Sequence, residues 1–220
     1  MVDTVIFDMD GLLINSEPLW YEAMDEVFHT MGFTITPELA GRTTGLRTVE
    51  VVAYWQRYFG WQHRSIEDVS NDIIDTVIHK ILTSATTMPG TLHILDSFKG
   101  RGVKMGLASS SPGRLIHPAL QHFGLASYFS VVHSAENEAY GKPHPAVYLS
   151  CALKLKSAPY GCLAFEDSVN GMIAAKAARM RVVAVPEPHH QSNPRYVLAD
   201  LQLPSLAHFT EAHWQQLKAL

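Results

Sequence analysis

The first hydrophobic pattern along the chain is a short run, Val2 to Phe7, in which β-branched and aromatic residues follow one another without polar alternation. That is the pattern of a strand buried on both faces of a sheet, and it stops abruptly at Asp8-Met9-Asp10-Gly11. Period 2 then gives way to helical spacing. Ser16 is placed to cap a helix with Pro18 in its first turn, and the helix is expected to run to about Met31, where Gly32 ends it. A second helical stretch spaces Leu46, Val49, Val52 and Phe59 on one face, with Trp55 filling it. A third opens at Ser65-x-x-Asp68 and aligns Ile74, Val77, Ile78, Ile81 and Leu82. Residues 17 to 82 therefore read as helices only.

After the polar stretch Thr83 to Thr87, Pro89-Gly90 opens another helix and the pattern changes again. Short apolar strands are expected at Val103 to Ala108, Phe129 to His133, Cys162 to Phe165 and Val182 to Val185, with helices starting near Pro112, Pro145 and Val169 between them. Repeated β-α units call for a parallel sheet. The first strand is separated from its partners by the helical stretch, so the expected fold is α/β. A Rossmann-like doubly wound core, residues 1–15 and 84–220, is interrupted by an inserted helical cap, residues 16–83. Hinges are expected at Leu13 to Asn15 and Thr83 to Met88. The tail from Asn193 ends in a short helix around Glu211 to Lys218 with a packing role.

Composition changes this picture little but narrows the partners. A hydrophobic fraction of 47% over 220 residues suits a chain with a proper core. A formal charge of -4 supplies no basic field for a nucleic acid. Cys151 and Cys162 sit in apolar segments without metal-ligand spacing, so neither a disulfide framework nor a zinc site is indicated, and a cytoplasmic setting is expected. No apolar run is long enough to cross a bilayer, and no membrane partner is expected. The expected partner is a small-molecule phosphate ester, acted on by a monomer.

In an open α/β sheet, ligands bind beyond the carboxyl ends of the strands. Four such ends carry polar groups. Asp8 and Asp10 can converge on one point, and two carboxylates this close are costly to ionise together without a cation. Magnesium takes hard oxygen ligands from one or two carboxylates plus substrate phosphate oxygens. Asp8 is thus the candidate nucleophile and Asp10 the general acid, then base, both also candidate metal ligands, with Met9 between them a candidate phosphate contact. The plain alternative is a turn whose aspartates cap backbone amides. At the second end, Ser109 is placed to bond a phosphoryl oxygen at a helix N-terminus, with Ser111 as the N-cap and Pro112 at the first helical position. Ser110 is a candidate contact there, weighed against a structural role. At the third, Lys142, held before Pro143, can neutralise a transferring phosphoryl group. At the fourth, Asp167 with Glu166 beside it can complete the metal shell, and Ser168 caps the following helix. Any one of these has an ordinary explanation. Their order along the chain, each at a different strand end, does not.

The strings FDMDGLL, LASSSP, KPHPAVYL and FEDSVNGMIAAKAA resemble, in order and placement, the four motifs of the haloacid dehalogenase superfamily. The resemblance spans essentially the whole chain. It implies a Rossmann-like core, a helical cap inserted after the first strand and magnesium-dependent phosphoryl transfer, with Asp8 as nucleophile, Asp10 as acid/base, Ser109 and Lys142 binding phosphate and Asp167 binding metal. FDMDGLLINSEPLW, TTGLRTVEVVAYW and NPRYVLAD look like the bacterial hexitol and 2-deoxyglucose-6-phosphate phosphatases, which implies sugar and sugar-alcohol phosphates as substrates. Asn15 departs from the aspartate usual there; this leaves the catalytic set intact and bears on the hinge and cap closure alone. The loop Thr43 to Arg47 resembles the family's specificity loop, so Arg47 is a candidate contact for sugar hydroxyls or a second anion, against a solvated first-turn arginine.

Trp20 is expected to pack, and His189-His190 to lie in a solvated loop. The cluster Trp55, Tyr58, Phe59 and Trp61 is expected to form cap core. A phosphomutase of the β-phosphoglucomutase type is the rival reading, against which stands Trp20 where related mutases carry a histidine. A dehalogenase would lack Asp10, and a non-catalytic phosphate-binding protein would have lost a catalytic position.

Overall fold

The computed structural model describes residues 2–219. Six parallel strands form one sheet in the order β3-β2-β1-β4-β5-β6. They are β1 (Thr4–Phe7), β2 (Lys104–Ser109), β3 (Val131–Ser134), β4 (Cys162–Glu166), β5 (Arg181–Ala184) and β6 (Leu201–Gln202). The chain order reverses direction at β1, which pairs with β2 on one side and β4 on the other, Phe7 standing level with Leu107 and Phe165. A crevice opens at such a switch point. The two-residue β6 was not expected, because its apolar pattern is too short to register.

Among the described residues, five α-helices lie between β1 and β2, and the first four form the insertion: α1 (Glu17–Thr30), α2 (Pro37–Ala40), α3 (Thr48–Phe59) and α4 (Ile66–Ser84). The remaining helices pack on the sheet: α5 (Thr91–Gly100), α6 (Gly113–His122), α7 (Ala146–Lys154), α8 (Val169–Ala177) and α9 (Glu211–Ala219). The fold class and the alternation of elements are those expected. The strands begin or end one or two residues from the expected bounds, and α2 is a short turn that the periodicity does not resolve.

Burial explains the unbroken apolar runs. Val5, Phe7, Leu107, Leu163, Phe165 and Val183 point to one face of the sheet and join a core that includes Phe98, Ile116 and Trp214. Ile6, Ala108, Ala164, Val182 and Ala184 point to the other, against Val147, Tyr148, Met172 and Ala175. Both faces are covered, so no polar alternation survives. Among the helices before β2, Trp55, Phe28 and Trp61 are buried, and Phe59 stacks on Phe33 with ring centroids 4.8 Å apart, the aromatic core expected there. Tyr58 is the exception and lies exposed.

The two segments joining the helical insertion to the sheet run side by side. Asn15 N–H donates to Thr86 O at 2.9 Å, and Met88 N–H donates to Leu13 O at 2.9 Å. The expected hinge segments thus form one paired stem. Among the described residues, no helix is long and apolar enough to cross a membrane.

Candidate active site

β1 delivers Asp8 to the floor of a cleft of about 610 Å³ between the strand ends and helices α1 to α4. Its backbone N–H still donates to Phe165 O at 3.0 Å, so the residue is held by the sheet as its side chain leaves it. The turn that follows needs Gly11, whose φ is +70° and where a Cβ would overlap the Asp167 carboxylate. Asp167 therefore sits directly across that turn from Asp8.

Lys142 lies in the segment between β3 and α7, eight positions beyond the end of β3, and is buried. Its ammonium donates to Asp8 Oδ1 at 2.6 Å, Glu166 Oε1 at 2.6 Å and Ala108 O at 3.1 Å. All three protons are used, which fixes the charge as a point between two carboxylates. Burial works against the ammonium, yet the fields of Asp8 and Glu166 outweigh it and hold the Lys142 pKa above the ordinary lysine value. Glu166 is completely buried and accepts a further bond from Tyr148 Oη at 2.5 Å. It is thereby placed to hold the lysine.

One ammonium does not balance the acids. Burial first, then the neighbouring carboxylates, push Asp8 up to about 8 despite Lys142, and push Asp167 well above its ordinary range. Glu17, at the start of α1, is likewise pushed up to about 8 by burial and then by Asp10, Glu187 and Asp8. Oxygens of Asp8, Glu166 and Asp167 lie within 4.8 Å of one another. Among the described residues no donor reaches the Asp167 carboxylate, whereas Glu166 is committed to Lys142, Tyr148 and Ser168. Hard oxygens, excess negative charge and a carboxylate without a partner fit a divalent cation held chiefly by Asp8 and Asp167.

Asp10, expected among the metal ligands, does not join that cluster with its side chain. Oδ1 accepts from Ser16 Oγ at 2.7 Å and Trp20 Nε1 at 3.0 Å, and Oδ2 accepts from Ser111 Oγ at 2.7 Å. Two donors from the start of α1 and one from the segment after β2 fix the carboxylate at the cleft. The same bonds redirect two expected caps. Ser16 stands at the N-cap of α1 without a capping bond, and Ser111 gives up the cap of α6 to Pro112, so that the helix begins at Gly113. Trp20 packs against the core as expected, and it also lines the cleft and donates to Asp10.

Ser109 is buried at the end of β2, lines the cleft and accepts from Ser111 N–H at 3.0 Å, leaving its own proton to donate. Met9 is buried in the hydrophobic core and is not among the residues that line the cleft. Ser110 donates to Gly45 O at 2.7 Å, so its hydroxyl is spent on the loop between α2 and α3. Arg47 is spent as well: its guanidinium reaches Ala135 O, Glu138 O and Glu50 instead of the cleft. Arg42, in the same loop, is the arginine that lines the cleft, together with Glu17, Glu187, His189 and His190. Their sequence positions carry no motif spacing, and only the folding of the insertion over the sheet brings them there.

The description of haloacid dehalogenase-like hydrolases matches residues 5–185 of the chain. Hexitol phosphatase B of Escherichia coli strain K12 is 45% identical over 207 residues, 93% of each chain. A phosphorylated carbohydrates phosphatase of Thermotoga maritima is 30% identical over 177 residues, 80% of this chain and 82% of its own. Among solved structures, CbbY of Rhodobacter sphaeroides in complex with phosphate superposes with a TM-score of 0.85 at 23% identity, covering 94% of this chain and 96% of its own. The β-phosphoglucomutase of Clostridium difficile gives 0.86 at 22% identity, covering 100% and 98%. These two likenesses speak for the fold.

Proposed function

The chain belongs to the haloacid dehalogenase-like hydrolases, and from that premise we propose that it is a magnesium-dependent phosphatase of sugar phosphates and sugar-alcohol phosphates, acting through an aspartyl-phosphate on Asp8. The observation that carries the reading is the contact of a buried Lys142 with a buried Asp8 at 2.6 Å, at the bottom of a cleft roofed by the helical insertion. A carboxylate so placed is a nucleophile without solvent, and the lysine beside it meets the charge of an incoming phosphoryl group.

In the first step an Asp8 oxygen attacks phosphorus, the new P–O bond forms, and the bond to the sugar oxygen breaks. Asp10, held by Ser16, Trp20 and Ser111, delivers its proton to the departing alkoxide. In the second step Asp10 takes a proton from water as that water attacks the aspartyl-phosphate, releasing phosphate and restoring Asp8. Ser109 and Lys142 hold the phosphoryl oxygens throughout. Asp8 and Asp167 would hold the magnesium ion, which would supply charge neutralisation for the phosphoryl group.

Residues 16–83 are the cap of this proposal and 1–15 with 84–220 its core. The largely apolar cap wall, with Trp20, Met24, Leu46 and Val51, excludes water from the acyl-phosphate until the leaving group departs. Hexitol phosphatase B, the relative at 45% identity, supports the sugar-alcohol class. Phosphate release from a panel of hexitol and hexose phosphates, with and without magnesium, tests the reading. Wild type is expected to turn over in magnesium only, and Asp8→Asn to lose turnover while keeping its circular dichroism. Turnover by pure Asp8→Asn would overturn the covalent route, and interconversion of hexose phosphates without phosphate release would replace the phosphatase by a mutase.

A further inference from the structure

The loop that joins α2 to α3 touches three of the strand-end segments that carry chemistry. Asn170 Nδ2, at the start of α8 beyond Asp167, donates to Thr44 O at 2.8 Å, and Ser110, next to Ser109, donates to Gly45 O at 2.7 Å. The third contact is the most elaborate. Arg47 Nη1 donates to Glu138 O at 2.8 Å and to Ala135 O at 3.3 Å, its Nη2 donates to Glu50 Oε1 at 2.7 Å, and that same Glu50 oxygen accepts from Gly141 N–H at 3.3 Å. Glu50 Oε2 closes the arrangement by accepting from Arg47 N–H at 3.2 Å. The acid and the base therefore brace each other while both grip the segment that leads into Lys142.

Few other backbone bonds hold that segment, one being His144 N–H to Gly141 O at 2.9 Å. From Ala139 to Lys142, the one backbone N–H with a partner among the described residues is that of Gly141, and the partner is Glu50. On the core side two side chains anchor the stretch before it: Glu138 Oε1 meets His133 Nε2 at 2.6 Å, the ring being held by Lys154 Nζ at 2.9 Å on Nδ1, and Glu136 Oε1 accepts from Gly113 N–H at 2.9 Å. Close approach is built in, because a Cβ on Gly141 would overlap the Glu50 carboxylate and lie 2.8 Å from Arg47 Nε. In the resting site the Lys142 ammonium is fixed by Asp8, Glu166 and Ala108. Once Asp8 bonds phosphorus, one of those acceptors changes its charge and place. The lysine then keeps Glu166 and Ala108 O, and the path of its own backbone sets how well it stays aimed at the phosphoryl oxygens.

We propose that Arg47 and Glu50 are positioning residues: by clamping the Ala135 to Gly141 segment to the helical insertion, they hold Lys142 in register for phosphoryl transfer and make the lysine's placement conditional on the insertion being docked. This deepens the phosphatase reading and rests on it. This job competes with a contact to the substrate sugar, since both terminal nitrogens of the guanidinium are already occupied by two carbonyls and a carboxylate and the remaining Nε is buried.

The test compares wild type, Arg47→Ala, Arg47→Lys, Glu50→Gln and Gly141→Ala on a hexitol phosphate and on p-nitrophenyl phosphate, whose leaving group has no sugar hydroxyls. Thermal midpoints are recorded alongside. Arg47→Ala is expected to lower kcat by roughly 10- to 100-fold on both substrates, with KM moving less than about threefold, the pattern of a misplaced group that binds the transferring phosphoryl. Arg47→Lys is expected to recover only part of the loss, because an ammonium cannot span two carbonyls and a carboxylate as a planar fork does. Gly141→Ala, which keeps both charged groups, is expected to reproduce the kcat defect by wedging the clamp apart. A loss confined to the hexitol ester, or one falling on KM alone, would make Arg47 a substrate contact and overturn the proposal.

A second readout does not depend on turnover. Amide hydrogen exchange of the peptide covering 135–142 is expected to quicken by about tenfold or more in Arg47→Ala and Glu50→Gln, with exchange in β1 and β4 unchanged. Unchanged exchange in that peptide would overturn the clamp even in an active enzyme. Wild type that protects the peptide yet cleaves no phosphate ester would sink the phosphatase reading and leave the clamp standing as a structural contact alone, which overturns its role in positioning Lys142 for transfer.

Discussion

At the scale of single residues, the site is a matter of which side chains find a partner on another segment. Asp10 illustrates it. Its identity and its closeness to Asp8 are plain in the sequence, but its orientation depends on Ser111, 101 positions away, and on Trp20 in the first turn of α1. Arg47 and Ser110 show the reverse, polar groups with a plausible reach toward substrate that the folded chain uses up in holding loops together. The cysteines answer the sequence more directly. Both are free and buried in apolar surroundings, and burial pushes each thiol up to about 12. At pH 8 almost no thiolate is present, so native protein is expected to resist iodoacetamide, while protein unfolded in urea takes up two labels by mass spectrometry. Rapid labelling of the native chain would contradict this burial.

At the scale of elements, one helix carries a constraint that its own composition conceals. α8 is rich in alanine, and replacing Gly171 by alanine would ordinarily stabilise an exposed helix by about 1 kcal/mol. Here a Cβ would overlap the carboxylate of Glu166, which is buried and holds Lys142. Gly171→Ala is therefore expected to lower stability, by about 1–3 kcal/mol for overpacking, and to reduce turnover at the same time; urea denaturation and a kcat measurement check the two halves. A more stable and fully active variant would mean that Glu166 shifts at no cost. The element boundaries themselves were largely legible, because a parallel strand covered on both faces and a helix with one apolar stripe leave different periods in the sequence. The N-terminus of α6 was not, since the hydroxyl of Ser111 donates to Asp10 instead of accepting from the backbone N–H groups it was expected to cap.

At the scale of the whole molecule, the balance of charge in the cleft decides stability as well as chemistry. Asp8, Glu166 and Asp167 converge with Lys142 as their close cation, and burial leaves the repulsion poorly screened. A cation that binds the folded site and not the unfolded chain stabilises by mass action. Millimolar magnesium is thus expected to raise the thermal midpoint of wild type, and EDTA to reverse the rise. Asp167→Asn is expected to lose the magnesium-dependent shift and, in EDTA, to melt no lower than wild type, because the amide removes one of the crowded charges. Differential scanning fluorimetry in both buffers reads this without any assay of turnover. A magnesium shift that survives Asp167→Asn would place the ion elsewhere.

The sequence by itself determined the class of the fold, the helical insertion after β1 and the set of chemical groups at the strand ends. These follow from local periodicity and from residue types whose chemistry is the same wherever they sit. Only the tertiary structure decided that β1 lies between β2 and β4, that Arg42 and not Arg47 faces the cleft, that Trp20 orients Asp10, and that the path into Lys142 is gripped by the insertion. The reason is physical: a hydrogen bond between residues some 90 positions apart leaves no period in the chain, and each polar side chain settles on whichever donor or acceptor the packed elements bring within about 3 Å.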